Sequence, residues 1–206
     1  MAYRPTGRSP GRPSYGSREK LLAAMCKLLS ERGYAATSPQ AIWTRADCTR
    51  GSFQHYFPAK ELIGLAAIED FTRRDTAYLR EHLDSAVTEA EAAHRKNPEP
   101  EPDSVRRVLV EQARACLYLL FSRRGGHALI RLLADPDVAA SPALVGATRD
   151  WLDRLRAELA RTFTGKPVRT LGVAFGPKQA GELAVRMVND AMGEALPSIG
   201  RVPPLQ

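Results

Sequence analysis

Apolar residues recur every three or four positions through most of this 206-residue chain, and that spacing is typical of helices with one buried face. Strands would instead require apolar and polar residues to alternate. The best candidate for such alternation, residues 168–175, is interrupted by Gly172 and bounded by Pro167 and Gly176. We therefore predict an all-α fold.

Three short helices are predicted within the first sixty residues. Ser17 is a candidate N-cap of the first, Thr37 or Ser38 of the second, and Thr49 of the third, because their side-chain oxygens can accept hydrogen bonds from unpaired backbone N–H groups. These helices cover about residues 17–32, 39–46 and 50–57.

Longer helices follow, beginning with one that extends from Ala59 to about Lys96. Asp135 and Pro136 end a short helix further along the chain, and a glycine-rich loop is predicted at 164–176. The helices predicted for this part cover about residues 59–96, 103–123, 127–134, 142–163 and 177–196.

The excess positive charge lies entirely in the first part of the chain. Residues 1–60 contain ten Lys or Arg and three acids, whereas residues 61–206 contain twenty of each, which gives net charges of +7 and 0. A cationic segment of this kind neutralises DNA phosphates and gains affinity by releasing counterions. Membrane surfaces and acidic proteins attract the same kind of patch. Charge alone leaves these partners open.

The segment from Ser38 to Lys60 has the pattern of a helix, a tight turn and a second helix. Its apolar skeleton consists of Ile42, Ala46, Cys48, Phe53 and Phe57. The second helix also carries residues that this skeleton does not need, namely Arg50, Ser52, Gln54, His55 and Tyr56. Arg can bond to guanine and Gln to adenine, and Gly51 permits close approach of the backbone to DNA. The pattern predicts a helix-turn-helix that reads DNA.

The same region contains, in this order, Arg18, Leu21, Leu22, Gly33, Tyr34, Thr37, Ile42, Ala46, Arg50, Gly51, Ser52, Phe53, Phe57, Pro58 and Lys60. In these residues it resembles the TetR family of bacterial regulators. The resemblance covers about residues 17–65 and implies that Thr37 and Lys60 contact phosphates while the second helix enters the major groove. The predicted DNA-contacting set is Thr37, Ser38, Arg50, Gly51, Ser52, Gln54, His55, Tyr56 and Lys60.

The chain departs from the family pattern at three positions. Gln54 stands where a phosphate-binding Tyr is common, and Tyr56 stands where His is common. Asp47 stands where a turn Gly is common, so it must adopt a left-handed conformation, which Asp tolerates better than most residues. In the arm before the first helix, Arg12 can enter a minor groove, although simple disorder is the alternative.

The neutral remainder of the chain is predicted to form a dimer and to bind a small molecule. The resemblance implies that the last two long helices pair with their symmetry mates, and their apolar faces at 144–159 and 183–196 agree, although burial within one chain is the alternative. Aromatic and sulfur-containing side chains can line a ligand cavity, or can simply pack in the core. The candidates are Phe71, Tyr78, Cys116, Phe121, His127, Trp151, Met187 and Met192.

The predicted function is that of a ligand-responsive transcriptional regulator, a homodimer on palindromic double-stranded operator DNA. The resemblance implies a repressor that a small apolar or amphipathic effector releases by shifting the long helix that begins at Ala59. A helical scaffold with a basic face and an unrecognised enzyme are the alternatives. No metal or cofactor motif is present, and the three unpaired cysteines favour a reducing cytoplasm. The predicted division is a flexible basic arm (1–16), a DNA-binding domain (17–64) and a ligand-binding and dimerisation domain (65–200).

Overall fold

The computed structural model describes residues 16–96, 102–123 and 126–199, and this part of the chain contains ten helices and no strand. The helices are α1 (Ser17–Arg32), α2 (Pro39–Arg45), α3 (Arg50–Tyr56), α4 (Lys60–Lys96), α5 (Pro102–Arg123), α6 (Gly126–Leu133), α7 (Pro136–Ala139), α8 (Pro142–Thr164), α9 (Lys166–Thr170) and α10 (Pro177–Ile199). The all-α prediction is confirmed.

Helices α1, α2 and α3 pack around a small apolar core of their own. Leu21, Met25 and Leu29 of α1 are buried in it, together with Ile42 of α2 and Phe53 of α3. Local capping sets where the two shorter helices begin. Side-chain oxygens accept a hydrogen bond from a backbone N–H three residues later at both N-caps, those of α2 and α3. The three-helix unit is therefore specified largely by local sequence, through its caps and its own apolar core.

Helix α4 joins the three-helix unit to the rest of the molecule. Its 37 residues contact α1 near its beginning and α5 and α8 along its length. Gly64 allows a close contact with the turn after α1 and with α8, because a Cβ at this position would lie 2.8 Å from the Tyr34 ring and 3.3 Å from Leu144. The predicted boundary between the DNA-binding domain (17–64) and the ligand-binding and dimerisation domain (65–200) lies inside this one unbroken helix.

The larger core lies between α4, α5, α8 and α10. Helix α8 packs on both α4 and α10, and α10 also packs on α5. Trp151, Phe121 and Phe163 are the largest side chains fully buried there. Among the described residues, no helix combines the length and the apolar character that crossing a bilayer requires.

Three local predictions were wrong. Helix α1 begins at Ser17, and its N-cap is Gly16 with φ of 91°, a left-handed conformation that favours glycine. Asp135 and Pro136 end α6 as predicted but also begin α7, because Asp135 caps the new helix and Pro136 fits its first turn. The glycine-rich loop contains α9, in which Pro167 again occupies the first turn. Residues 1–15 of the predicted arm and the α4–α5 connection (97–101) lie outside the described residues.

Candidate nucleic-acid interface

The turn between α2 and α3 is closed by backbone hydrogen bonds. The Asp47 N–H donates to the Thr44 carbonyl at 3.2 Å, and the Cys48 N–H donates to the Trp43 carbonyl at 2.9 Å. Asp47 has a φ of 51°, so it adopts the left-handed conformation that the sequence requires of it. The two helices and this turn form the predicted helix-turn-helix.

Helix α3 presents a polar face to solvent, and its opposite face is anchored by a buried aromatic side chain. Phe53 is buried on the side of the helix that faces the core, and its ring meets the ring of Trp43 edge to face, with centroids 5.7 Å apart. The exposed residues of α3 are Arg50, Gly51, Gln54 and His55. The face therefore combines donors, acceptors and a position without a side chain, as base reading requires.

Two members of the predicted set are half-buried at the edge of this face. The Ser52 hydroxyl lies 3.1 Å from the Thr49 hydroxyl, which also accepts a hydrogen bond from the Ser52 N–H. Tyr56 packs against the core, and its ring meets the His55 ring with centroids 4.8 Å apart. Both side chains are positioned by contacts inside the protein.

A groove of about 400 Å³ lies between α2, α3 and the start of α4. It is lined by Ser38, Pro39, Gln40, Trp43, Arg50, Phe53, Gln54, Pro58, Ala59 and Lys60. The sequence analysis did not select Gln40 or Trp43. Gln40 could have been selected from its position in the sequence. It follows Pro39 at the start of α2, and an outward-facing residue there lies beside the second helix of a helix-turn-helix.

The two residues predicted before α2 have different environments. Thr37 is fully buried, and its hydroxyl donates to the Gly33 carbonyl at 2.6 Å. This hydroxyl faces the interior, whereas the sequence analysis expected it to reach a phosphate. Ser38 is exposed, and its hydroxyl accepts a hydrogen bond from the Ala41 N–H at 3.2 Å.

Lys60 begins α4 and already has partners within the chain. Its ammonium nitrogen lies 3.6 Å from a carboxylate oxygen of Asp137 and 4.1 Å from the centroid of the Tyr34 ring. Only 21% of the Lys60 side chain is exposed, compared with 55% of the Asp137 side chain. The predicted phosphate contact is therefore paired with an acid from α7.

Asp135 joins the α6–α7 connection to the turn after α1. One carboxylate oxygen accepts hydrogen bonds from the N–H groups of Tyr34 (3.0 Å) and Ala35 (2.9 Å), and the other accepts from Asp137 at 3.0 Å. The pKa of Tyr34 is raised to about 12, first by burial and then by Glu61, Asp137 and Asp135. The environment of Tyr34 and Lys60 is rich in acids.

The predicted ligand-binding residues are mostly core residues in the described structure. Phe121 and Trp151 are fully buried and in edge-to-face contact, with centroids 5.8 Å apart. Phe71, Tyr78 and Met187 are also buried, and Cys116 and Met192 are half-buried. Met187 also lines a pocket of about 500 Å³ between α5 and α10. The side chain of His127 lies outside the described part of the structure.

This core also contains polar groups that the sequence analysis missed. Asp75 is 2% exposed and accepts a hydrogen bond from the Trp151 indole N–H at 3.1 Å. Burial raises the pKa of Asp75 to about 7, and the hydrogen bond from Trp151 opposes that rise. Thr76 Oγ1 and Gln112 Oε1 are buried without a hydrogen-bond partner. The apolar spacing of α4 gave no signal for Asp75.

Comparison with known proteins relates the N-terminal helices to a family. Residues 21–67 match the model of the bacterial regulatory proteins of the tetR family. No curated protein matches the chain. Solved structures with the same fold include a TetR transcriptional regulator from Legionella pneumophila, which is 17% identical over 91% of this chain and 89% of its own, with a TM-score of 0.62. A transcriptional regulator from Rhodococcus sp. Rha1 is 21% identical over 90% of this chain and 84% of its own, with a TM-score of 0.61. A protein of Streptomyces coelicolor A3(2) is 23% identical over 93% of this chain and 100% of its own, with a TM-score of 0.61.

Proposed function

We propose that this chain, whose residues 21–67 match the tetR family of bacterial regulatory proteins, represses transcription by binding a palindromic operator as a homodimer. The exposed face of α3 is the observation that carries the proposal. Arg50, Gly51, Gln54 and His55 are exposed on a helix whose opposite side is anchored by Phe53. A surface helix without this task would not need that combination.

The contacts that we propose follow from the position of each side chain. Arg50 and Gln54 border the groove between α2 and α3, where they can bond to guanine and adenine edges. Ser38, Ser52, Tyr56 and Lys60 lie around this face and can bond to phosphate oxygens, which fixes the register of the helix on DNA. Thr37 has a structural role in this proposal, because its hydroxyl is already bonded inside the protein.

We propose that α8 and α10 form the dimer interface. These two helices pack against each other, and α10 exposes Val185 while Leu183 and Met192 are only half-buried. Pairing with a second copy would remove these apolar groups from water. A dimer presents two copies of α3, which matches the two halves of a palindrome.

We propose that the effector binds between α4, α5 and α8. Phe121 and Trp151 supply apolar contact there, whereas Thr76 and Gln112 supply buried oxygens without a partner. An unpartnered buried polar atom is costly, and a ligand donor would remove that cost. The proposed effector is therefore an amphipathic molecule with at least one hydrogen-bond donor.

Selection from random DNA duplexes with the purified protein tests the DNA-binding proposal. We expect a palindrome to be enriched, and fluorescence anisotropy then measures its affinity. Arg50→Ala and Gln54→Ala should each weaken binding by about 1–3 kcal/mol and relax preference at one base position. Arg107→Ala, which removes an exposed arginine of α5, is the control and should leave affinity unchanged. A scaffold protein would enrich no sequence.

A further inference from the structure

Two acids at the beginning of α7 contact the three-helix unit. Asp135 accepts hydrogen bonds from the backbone N–H groups of Tyr34 and Ala35, which hold this end of α7 on the turn after α1. The same carboxylate caps α7 by accepting from the Asp137 N–H. Asp137 is therefore held at a fixed place beside the start of α4.

The place that Asp137 occupies is next to Lys60. Their charged atoms lie 3.6 Å apart, and the Lys60 ammonium also lies over the Tyr34 ring. Glu61, the next residue of α4, accepts a hydrogen bond from the hydroxyl of Ser141, which caps α8. The side chain of Lys60, which borders the groove between α2 and α3, is thus paired with an acid from the proposed ligand-binding part of the chain.

We propose that Asp137 competes with an operator phosphate for Lys60, so that α7 lowers the affinity of the protein for its operator. This inference rests on the proposed function, in which Lys60 contacts a phosphate. When DNA binds, the phosphate must either take the ammonium from Asp137 or share it with a second negative charge nearby. Either case reduces the free energy that Lys60 contributes to binding.

The ion pair between Asp137 and Lys60 is weak, so it can lower operator affinity by a small and adjustable amount. Asp137 is 55% exposed, so solvent screens its attraction to Lys60, and separating them costs little. A small displacement of α7 would change the distance between Asp137 and Lys60, and therefore the strength of the competition. The backbone hydrogen bonds of Asp135 determine where α7 lies, which makes Asp135 a positioning residue for this contact.

The substitution Asp137→Asn tests the competition on the operator obtained by selection. The variant keeps the shape of the side chain and removes its charge. We expect operator binding about two- to five-fold tighter than that of the wild type at low salt, with a smaller difference at high salt. Anisotropy titrations at several salt concentrations measure the difference in operator affinity and its dependence on salt. Glu111→Gln, which removes an exposed acid paired with Arg114 on α5, should leave affinity unchanged.

The same substitution in a Lys60→Gln background separates competition from general repulsion. If Asp137 acts through Lys60, Asp137→Asn has no effect once the ammonium is absent. If Asp137 merely repels DNA, the gain in affinity is the same in both backgrounds, and the inference is wrong. It is also wrong if the wild type binds its operator and Asp137→Asn binds equally well. A wild type that selects no sequence refutes the proposed function, and the inference falls with it.

Discussion

Asp75 is a carboxyl group placed in an apolar interior, and its environment makes stability depend on pH. Its pKa is about 7 in the folded protein, against an ordinary value of 3.8, because burial disfavours the charged form. Between these two values the folded chain holds a proton that the unfolded chain releases. The free energy of unfolding therefore falls as pH rises through this range.

The variant Asp75→Asn should remove this dependence. The amide oxygen can still accept the hydrogen bond from Trp151, but it does not titrate. We expect the wild type to lose about 2 kcal/mol of unfolding free energy between pH 5 and pH 8 that the variant does not lose. Urea denaturation of both proteins at pH 5 and pH 8 measures this loss of unfolding free energy. Asp150→Asn, at an exposed position of α8, is the control, and an equal loss in wild type and Asp75→Asn would contradict the prediction.

Individual residues also show where sequence reasoning succeeds and where it fails. The left-handed conformation of Asp47 was predicted because the resemblance to the TetR family places a turn glycine at that position, and Asp tolerates this conformation better than most residues. The burial of Thr37 was not predictable, because it depends on how the turn after α1 folds back to place the Gly33 carbonyl. Local geometry follows from sequence, whereas the partner of a hydroxyl depends on the assembled structure.

At the scale of elements, α4 packs closely against Tyr34 and Leu144 at Gly64. We expect Gly64→Ala to destabilise the protein by about 1–3 kcal/mol, because the added methyl group would overlap the Tyr34 ring. The midpoint of urea denaturation measures this change. Gly146→Ala on α8 is the matched control, since nothing lies within 4 Å of the added atom. Alanine favours a helix more than glycine does, so the control should be neutral or slightly stabilising.

Gly64→Ala should also weaken operator binding, because the Tyr34 ring that would be displaced lies beneath Lys60. Equal stability of Gly64→Ala and Gly146→Ala would show that the close contact of α4 with Tyr34 does not hold the molecule together.

The long helices were predicted well because their apolar periodicity extends over many turns. The short helices α7 and α9 were missed because four or five residues contain too few repeats to reveal a period. Their signal was the proline in the first turn of each one, which follows Asp135 in α7 and Lys166 in α9. The sequence analysis interpreted the first of these prolines only as the end of α6.

At the scale of the whole molecule, the proposed dimer is the feature on which operator binding depends. Val185→Asp places a charge on the exposed face of α10, where 43% of the valine is accessible in one chain. We expect this variant to sediment as a monomer and to lose its preference for a palindrome, because a buried unpaired charge opposes association.

Val108→Asp is the matched control for the dimer. Val108 is 53% exposed on α5, outside the proposed interface, so this variant should remain a dimer with unchanged operator affinity. Sedimentation equilibrium at several protein concentrations distinguishes the two variants. If both remain dimers, the interface does not lie at Val185.

The helix-turn-helix could be predicted because its caps, turn and apolar skeleton all lie within one short segment. The contacts of Asp135 with Tyr34 and of Asp137 with Lys60 join residues far apart in the sequence. A single sequence contains no signal for such pairs. The same is true of Asp75 and Trp151, which meet only when α4 packs on α8.

The unbroken course of α4 has a mechanical consequence. Its 37 residues form a rod of about 55 Å, since each residue adds about 1.5 Å. A tilt of about five degrees around one end displaces the other by about 5 Å, which exceeds the spacing of about 3.4 Å between successive base pairs. In the proposed dimer on its operator, a tilt of α4 this small would therefore shift each DNA-facing helix by more than one base pair along its half-site.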